Sequence, residues 1–240
     1  LADRLQDNPR PGDIEDFAQY QLDVVAMVEA ADALNLREPW HLLAHSMGGA
    51  IGLAALHNGL PVQTATFSAP MWGINHAPMP RAVALAIAGI ARRLGRGGSP
   101  ALGTGGNGTY LLDEPFQNNL LTNNPEAWAR LVREASAWPE LTLGGATYRL
   151  VNAALTECNR LAAEPAPDLP MLVTLGSREL VVSGPAIRER AAGWPGAQLI
   201  ELDDCRHEAM FETPELQQQF LDAFCNHIFG GAPVAMTMRL

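Results

Sequence analysis

The sequence predicts an α/β fold with a mostly parallel sheet flanked by helices and an inserted helical cap. Apolar runs of strand length lead directly into helix-like stretches near residues 40–58, and the same alternation returns near residues 171–220. Residues 70–165 break this alternation, because Pro, Gly, Trp and Met are frequent there and the helical pieces are irregular. These observations predict a core of residues 1–69 and 166–240 and a cap of residues 70–165.

The first predicted element is a helix over residues 13–35, where apolar side chains recur at helical spacing. Asp13 is the expected N-cap, because a carboxylate can accept from the free N–H groups of the first turn. Pro39 then introduces a strand over residues 40–44, which leads into a second helix over residues 47–58.

The junction of that strand and that helix is typical of a nucleophile elbow; residues 40–49 are Trp-His-Leu-Leu-Ala-His-Ser-Met-Gly-Gly. In such a turn the serine, here Ser46, stands clear of the sheet. Small residues are expected two positions before and after it, where the strand and helix backbones nearly touch, and Ala44 and Gly48 occupy these positions. The usual first residue is Gly, so Ala44 is a mild departure. The alternative is an ordinary buried strand that runs into a Gly-rich turn.

A serine hydroxyl is a weak nucleophile at neutral pH, so it needs a base that is itself oriented by an acid. Glu179 lies on the loop after a predicted strand over residues 171–175, and His207 lies on the loop after a strand over residues 197–202. The carboxyl ends of parallel strands meet at one edge of a sheet, where open α/β folds place their sites. The sequence therefore predicts a catalytic triad of Ser46, Glu179 and His207.

Other titratable residues are weaker candidates. Asp203 and Asp204 are rival acids, but they lie so close to His207 in the chain that they would need an unusual loop to orient it. Strand alternation predicts that His45 points away from Ser46. The remaining histidines are expected to be structural or solvated: His41, His57, His76 and His227.

Four segments carry a resemblance to a known family: Leu-Ala-His-Ser-Met-Gly-Gly at 43–49, Phe-Ser-Ala-Pro-Met-Trp-Gly at 67–73, Leu-Gly-Ser-Arg-Glu at 175–179 and His-Glu at 207–208. With them the chain resembles, over nearly its whole length, the α/β-hydrolases that include bacterial lysophospholipases and monoacylglycerol lipases. The resemblance implies an α/β-hydrolase fold whose nucleophile, acid and base map to Ser46, Glu179 and His207. The acid of this family is more commonly Asp, so the loop has to accommodate one more methylene.

The resemblance also implies the rest of the site. The backbone N–H of Met47 would donate to the oxyanion. The cap would form the acyl pocket, with Met71 and Trp72 as the expected substrate-binding residues. Further candidates for this pocket are Met79, Trp128 and Trp138. Such enzymes have several strands before the elbow, whereas here one helix and linkers precede Ser46 and the chain begins with Leu. We therefore expect that the N-terminal strands are absent and that the sequence is a fragment.

The function expected from this resemblance is that of a serine hydrolase acting on carboxylic esters through an acyl-enzyme, with neither a metal nor an organic cofactor. The favoured substrate is a lipid with a single acyl chain, a lysophospholipid or a monoacylglycerol. The alternatives are an esterase of other substrate preference, a cofactor-free peroxidase with the same triad, and a catalytically silent fragment or lipid-binding module. A G-x-G-x-x-G match at residues 103–108 lacks the strand and helix that a nucleotide site requires, so a cap loop is expected there.

Composition limits the partners. The net charge of −10 and the pI near 5.0 argue against a nucleic-acid partner. The three cysteines show no metal-ligand spacing, and a reduced, cytoplasmic protein is the simplest interpretation. The longest apolar run, residues 82–91, is about half the length that a membrane span needs. It lies in a predicted helix over residues 80–94 with arginines at its ends, a pattern that suits peripheral contact with anionic lipid head groups. These arginines are Arg81, Arg92, Arg93 and Arg96. The alternative is a cap helix packed on its own domain, which would show the same pattern.

Overall fold

The structure is a computed structural model, and it describes residues 11–75, 80–105 and 108–230. Its centre is a sheet of four strands: β1 (His41–His45), β2 (Thr64–Ser68), β3 (Met171–Gly176) and β4 (Gln198–Leu202). Neighbouring strands are parallel, and their order in the sheet is their order in the chain. The predicted α/β fold with a mostly parallel sheet is therefore confirmed.

Helices flank this sheet. The described residues form α1 (Ala18–Ala33), α2 (Met47–His57), α3 (Arg81–Arg93), α4 (Tyr110–Asp113), α5 (Pro125–Ala137), α6 (Tyr148–Ala163), α7 (Gly184–Ala192) and α8 (Pro214–Phe229). Helices α3 to α6 lie in the chain between β2 and β3, within the stretch predicted as a cap. The division into a core of residues 1–69 and 166–240 and a cap of residues 70–165 remains a prediction.

The two central strands carry the core. Every residue of β2 and β3 is buried, as expected for parallel strands that are covered on both faces. Phe67 of β2 lies edge-on against Trp72, with 5.0 Å between the ring centroids. The outer strands β1 and β4 are only partly buried. Both central strands therefore provide a rigid base for the loops at their carboxyl ends.

The first helix begins later than predicted, at Ala18 instead of residue 13. Asp13 is not its N-cap, because the Asp13 carboxylate binds Arg149 of α6 in a bidentate pair (Nη2–Oδ2 2.7 Å, Nε–Oδ1 3.0 Å). The Thr147 hydroxyl also donates to this carboxylate, at 2.6 Å. Glu15 pairs with Arg149 and with Arg92 of α3. These ion pairs bind the segment before α1 to α3 and α6, and α1 begins only at Ala18.

Strand β1 forms one edge of the sheet, and among the described residues no strand pairs with its outer side. A cavity of about 380 Å³ lies along this edge, between β1, α1 and α2. Its lining is mostly apolar and includes Val24, Met27, Leu42 and Ile51. Within the described part of the chain, no helix is both long enough and apolar enough to cross a bilayer.

Candidate active site

Ser46 occupies a strained backbone position between the last residue of β1 and the first residue of α2. Its φ of 51° and ψ of −123° lie outside the regions that a non-glycine residue ordinarily adopts. Three backbone hydrogen bonds hold it there. Its N–H donates to the Ser68 carbonyl at 3.1 Å, and its carbonyl accepts from Gly49 and Met71, both at 2.8 Å. This is the geometry of the predicted elbow, and it directs the Ser46 side chain away from the sheet.

The close approach behind the elbow occurs at Gly49. A Cβ atom on Gly49 would lie 2.3 Å from the Cβ of Pro70, whereas one on Gly48 would meet nothing within 4 Å. The prediction that Gly48 is the crowded position is therefore wrong. The crowded position is Gly49 instead of Gly48 because Pro70 lies against it. Pro70 follows Ala69, whose φ of 42° turns the chain toward the start of α2. The prediction for Ala44 fits better, since its Cβ lies 3.2 Å from where a Cβ of Gly52 would be.

The structure brings the three predicted triad residues together. His207 Nε2 lies 2.9 Å from Ser46 Oγ, and His207 Nδ1 lies 2.7 Å from Glu179 Oε2. The side chains of His207 and Glu179 are only 3% and 2% exposed. Glu179 follows β3 and His207 follows β4, so parallel strands deliver both side chains to the same edge of the sheet.

The environment of Glu179 determines which ring nitrogen of His207 carries a proton. Burial alone would raise the pKa of Glu179, but the hydrogen bond and charge of His207, together with the N–H groups of Val181 and Val182, hold it below its usual range. An ionised carboxylate only accepts hydrogen bonds, so Nδ1 of His207 must carry a proton. Nε2 of a neutral His207 is then free to accept from the Ser46 hydroxyl, which is the arrangement that a general base requires.

The rival acids lie elsewhere. Asp203 Oδ1 lies 3.3 Å from the Ser177 hydroxyl, and Asp204 pairs with Arg178 at 2.8 Å. The backbone approaches closely here, because a Cβ on Gly176 would lie 2.3 Å from the carbonyl oxygen of Cys205. The end of β3 therefore touches the loop that carries His207, and this brings Glu179 within reach of His207.

Strand alternation predicts that the His45 side chain points away from the site, but in the structure it lies beside His207 and Glu208. Its Nδ1 lies 2.9 Å from the Ser68 carbonyl oxygen, and its Nε2 lies 3.1 Å from Glu208 Oε1. Its ring centroid is 4.8 Å from that of His207. Alternation fails here because β1 ends at His45 and the chain turns sharply at Ser46.

The other histidines lie away from the triad where they are described. His41 Nδ1 contacts the Thr64 hydroxyl at 2.8 Å. Burial lowers the pKa of His57 and of His227, which favours neutral rings. His76 and Met79, which were also considered from the sequence, lie outside the described residues.

Sequence reasoning missed the buried carboxylate of Glu212, which is 0% exposed. Its two oxygens each lie 3.0 Å from the backbone nitrogen of Asn123, and Oε1 accepts from the N–H of Arg206 at 2.9 Å. The Arg206 guanidinium donates to the carbonyls of Asn119 and Thr122. These contacts join the segment 119–124, defined here as the strap, to the loop that carries His207, defined here as the histidine loop. No sequence signal marks Glu212, because its partners on the strap are 89 residues away in the chain.

Met47 is the first residue of α2, so its N–H has no acceptor within the helix. It adjoins Ser46, and its role as oxyanion donor remains a prediction. Met71 and Trp72 are buried behind the elbow, and the Trp72 indole donates to the Gly49 carbonyl at 3.2 Å. Their role in substrate binding also remains a prediction. Of the two further tryptophans considered for the acyl pocket, Trp128 is buried and Trp138 is exposed.

One group of described residues approaches the geometry of a metal site. Ligand atoms of His45, His207 and Glu208 all lie within 4.8 Å of one another. Both ring nitrogens of His207 already contact Ser46 and Glu179, so a metal would have to replace one of these contacts. Cys205 is buried, which raises the pKa of its thiol to about 12 and makes it a poor nucleophile.

A parallel sheet, a strained serine between strand and helix, and a histidine and a carboxylate on later loops together define the class of α/β-hydrolases. The chain matches the family described as "Serine aminopeptidase, S33" (Hydrolase_4) over residues 6–214, and it belongs to that family. It is 26% identical over 223 residues to "Probable lysophospholipase L2" of Haemophilus influenzae, which covers 91% of this chain and 68% of the relative. It is 29% identical over 234 residues to "Lysophospholipase L2" of Escherichia coli K12, which covers 92% of this chain and 66% of the relative.

The chain thus spans about two thirds of the length of these curated relatives. Among solved structures, a monoacylglycerol lipase of Paleococcus ferrophilus superposes with a TM-score of 0.65 at 17% identity, over 89% of this chain and 74% of that chain. A soluble variant of monoglyceride lipase from Saccharomyces cerevisiae gives a TM-score of 0.67 at 16% identity, over 92% of this chain and 74% of that chain. At such identities these structures show the fold alone. The family match and the lysophospholipase relatives place the chain among the ester hydrolases.

Proposed function

We propose that this protein hydrolyses the carboxylic ester of a lipid with a single acyl chain, a lysophospholipid or a monoacylglycerol. The observation that carries the proposal is the unbroken chain of contacts from Ser46 Oγ through His207 to Glu179, at 2.9 and 2.7 Å. Such a chain activates a hydroxyl for attack on an acyl carbon.

The proposed reaction has two halves. Ser46 Oγ attacks the ester carbonyl while His207 Nε2 takes its proton, and His207 then gives the proton to the leaving alcohol. A water molecule attacks the acyl-enzyme in the same way, with His207 again as base, and releases the fatty acid. Glu179 stabilises the imidazolium that forms twice in this cycle, and the Met47 N–H donates to the oxyanion.

The substrate class is supported by the names of the curated relatives, which are lysophospholipases, and by the monoacylglycerol and monoglyceride lipases with the same fold. The family description names an aminopeptidase, so an amide substrate is the appropriate comparison. Esters are favoured because an alcohol leaves more readily than an amine, and the triad alone needs no further group to expel it.

A substrate panel tests the proposal. Purified protein is incubated with palmitoyl lysophosphatidylcholine, monooleoylglycerol, a diacyl phosphatidylcholine and alanine 4-nitroanilide, and released fatty acid or nitroaniline is measured. We expect turnover of the two single-chain esters, with little turnover of the others and a loss of about 10³-fold or more in Ser46→Ala. Preferred cleavage of the anilide, or equal rates in Ser46→Ala, would contradict the proposal.

We also propose that the outer face of α3 contacts a lipid surface. The side chains of Val83 and Ile90 on α3, and of Leu94 directly after it, are 45%, 55% and 72% exposed. Arg93 lies beside this face, whereas Arg92 is paired with Glu15. Co-sedimentation with phosphatidylglycerol vesicles should fall in Ile90→Ser/Leu94→Ser relative to a Leu36→Ser control, which removes an exposed apolar side chain outside the cap. Equal binding by the two variants would count against α3 as the contact.

A further inference from the structure

A second pair of histidine and carboxylate lies directly beside the proposed triad. His45 is the residue before Ser46, and Glu208 is the residue after His207. His45 Nε2 lies 3.1 Å from Glu208 Oε1, and both side chains are largely buried, at 21% and 19% exposed. The contact lies off the axis of a good hydrogen bond, so we describe it as an ion pair. It links the elbow to the histidine loop independently of the Ser46–His207 contact.

The neighbours of His45 indicate its protonation. The Ser68 carbonyl, 2.9 Å from Nδ1, can only accept, so Nδ1 must carry a proton. An ionised Glu208 also only accepts, so a favourable contact requires a proton on Nε2 as well. The His45–Glu208 pair therefore joins an imidazolium to a carboxylate.

The surrounding charges agree with this assignment. Burial lowers the pKa of His45, but the adjacent Glu208 carboxylate outweighs it, with smaller contributions from the Ser68 carbonyl and Glu179, and the pKa is raised overall. Burial raises the pKa of Glu208, but His45 and the nearby His207 outweigh it, against an opposing contribution from Glu179, and the pKa is lowered overall. Each partner therefore favours the charged form of the other.

The ring of His45 also restrains the ring of His207. The two hydrogen bonds of His207 leave its ring from nearly opposite sides, so a rotation about the line that joins them changes neither length much. The His45 ring lies beside the His207 ring, with 4.8 Å between the centroids and 53° between the planes, and so it limits this rotation of the His207 ring. A histidine cation so close would oppose a second imidazolium on His207, and the Glu208 carboxylate offsets this charge.

We infer that His45 and Glu208 are positioning residues for the catalytic histidine. Their ion pair holds the elbow and the histidine loop at the separation at which His207 reaches Ser46, and the His45 ring fixes the plane of the His207 ring. The inference rests on the proposed function, because it requires Ser46 and His207 to act as nucleophile and base. It also implies an alkaline limit. As the pH rises through the pKa of His45, Nε2 loses its proton, its lone pair faces the carboxylate, and the pair opens.

The test compares Glu208→Gln, His45→Gln and the double variant with matched controls. Glu201→Gln removes a carboxylate that pairs with Arg188 on the surface, and His41→Gln changes a histidine at the far end of β1. The readouts are the rate of fluorophosphonate labelling, and kcat and KM for 4-nitrophenyl butyrate from about pH 5 to 9.

Each single variant should lower kcat and the labelling rate by about 10- to 100-fold, because small misplacements of a base have effects of this size. KM should stay within about twofold, and the double variant should be no slower than the slower single variant, because both changes break one contact. The alkaline limb of the profile should disappear in Glu208→Gln, since the ion pair whose opening causes this limb is already absent from that variant. The two controls should stay within about twofold of the unsubstituted protein.

Single variants that react at the unsubstituted rate, or effects that multiply in the double variant, would overturn the inference and leave the proposed function intact. Absence of labelling in the unsubstituted protein would overturn both. If Glu208→Gln does not fold, Glu208→Asp replaces it, since it keeps the charge but shortens the reach. Nitrogen NMR of His45 in the unsubstituted protein provides an independent reading. An imidazolium at about pH 7 supports the pair, whereas a ring protonated on Nδ1 alone overturns it.

Discussion

On the Ser46 side of the Ser46–His207 contact, called here the packing side, the chain is held by close backbone packing and backbone hydrogen bonds. On the His207 side, called here the polar side, it is held by the contacts of a buried carboxylate. Behind Ser46, Gly49 leaves no room for a Cβ against Pro70. Behind His207, the carboxylate of Glu212 accepts hydrogen bonds from the backbone N–H groups of Asn123 on the strap and of Arg206. Backbone packing and backbone hydrogen bonds do not change with pH, whereas the position of His207 depends on the contacts of a buried carboxylate with the strap.

The largest effect is expected where the two sides meet. Glu179→Gln should lower kcat by about 10⁴-fold, the size of the loss when the analogous acid of a serine protease is made an amide. An amide can offer its N–H to Nδ1 and favour the wrong tautomer of His207, which then presents a proton instead of a lone pair to Ser46. Steady-state kinetics with 4-nitrophenyl butyrate measure the change. A loss below tenfold would show that Glu179 is not the orienting acid.

The packing side can be broken without any charge. Gly49→Ala should lower the free energy of unfolding by about 1–3 kcal/mol or more, because its Cβ would lie 2.3 Å from that of Pro70. Gly48→Ala is the matched control on the same helix, and it should be neutral or stabilise by up to about 1 kcal/mol, since it adds helix propensity in open space. Urea unfolding followed by circular dichroism measures both. Equal stabilities for the two variants would refute the close approach at Gly49.

The polar side should be broken by Glu212→Gln. The amide places donor hydrogens against N–H donors, so we expect a loss of about 1.5–3 kcal/mol in the free energy of unfolding. We also expect a fall in kcat, because the histidine loop loses its contact with Asn123. Glu215→Gln, an exposed carboxylate in the first turn of α8, should cost less than about 1 kcal/mol and leave kcat unchanged. Unchanged stability and kcat in Glu212→Gln would show that the contacts of Glu212 do not hold the loop that carries His207.

The smallest expected effect is the acid limb of the pH profile. Activity should fall on acidification, because a base that already carries a proton cannot accept the proton of Ser46. The pKa of Glu179 is lowered, so Glu179 becomes protonated only at still lower pH and does not steepen this limb. A rate that does not fall on acidification would argue against His207 as the base.

The sequence was sufficient to predict the sheet and the order of the site residues, because each of these residues follows a strand and parallel strands end at one edge. The sequence could not locate the contacts of Glu212, since its partners on the strap are 89 residues away in the chain. It also misplaced His45, because alternation applies within a strand and not at a strained turn. Asp13 was misjudged for a related reason, since Arg149 of a distant helix competes for its carboxylate.

The measurement that tests the central claim most directly is intact-mass analysis after treatment with a fluorophosphonate, on the unsubstituted chain and on Ser46→Ala. The account predicts one phosphonyl group per chain, complete loss of labelling in Ser46→Ala, and strongly slowed labelling in His207→Ala. A folded chain that takes up no label, or labelling that persists in Ser46→Ala, would contradict the assignment of Ser46 as an activated nucleophile.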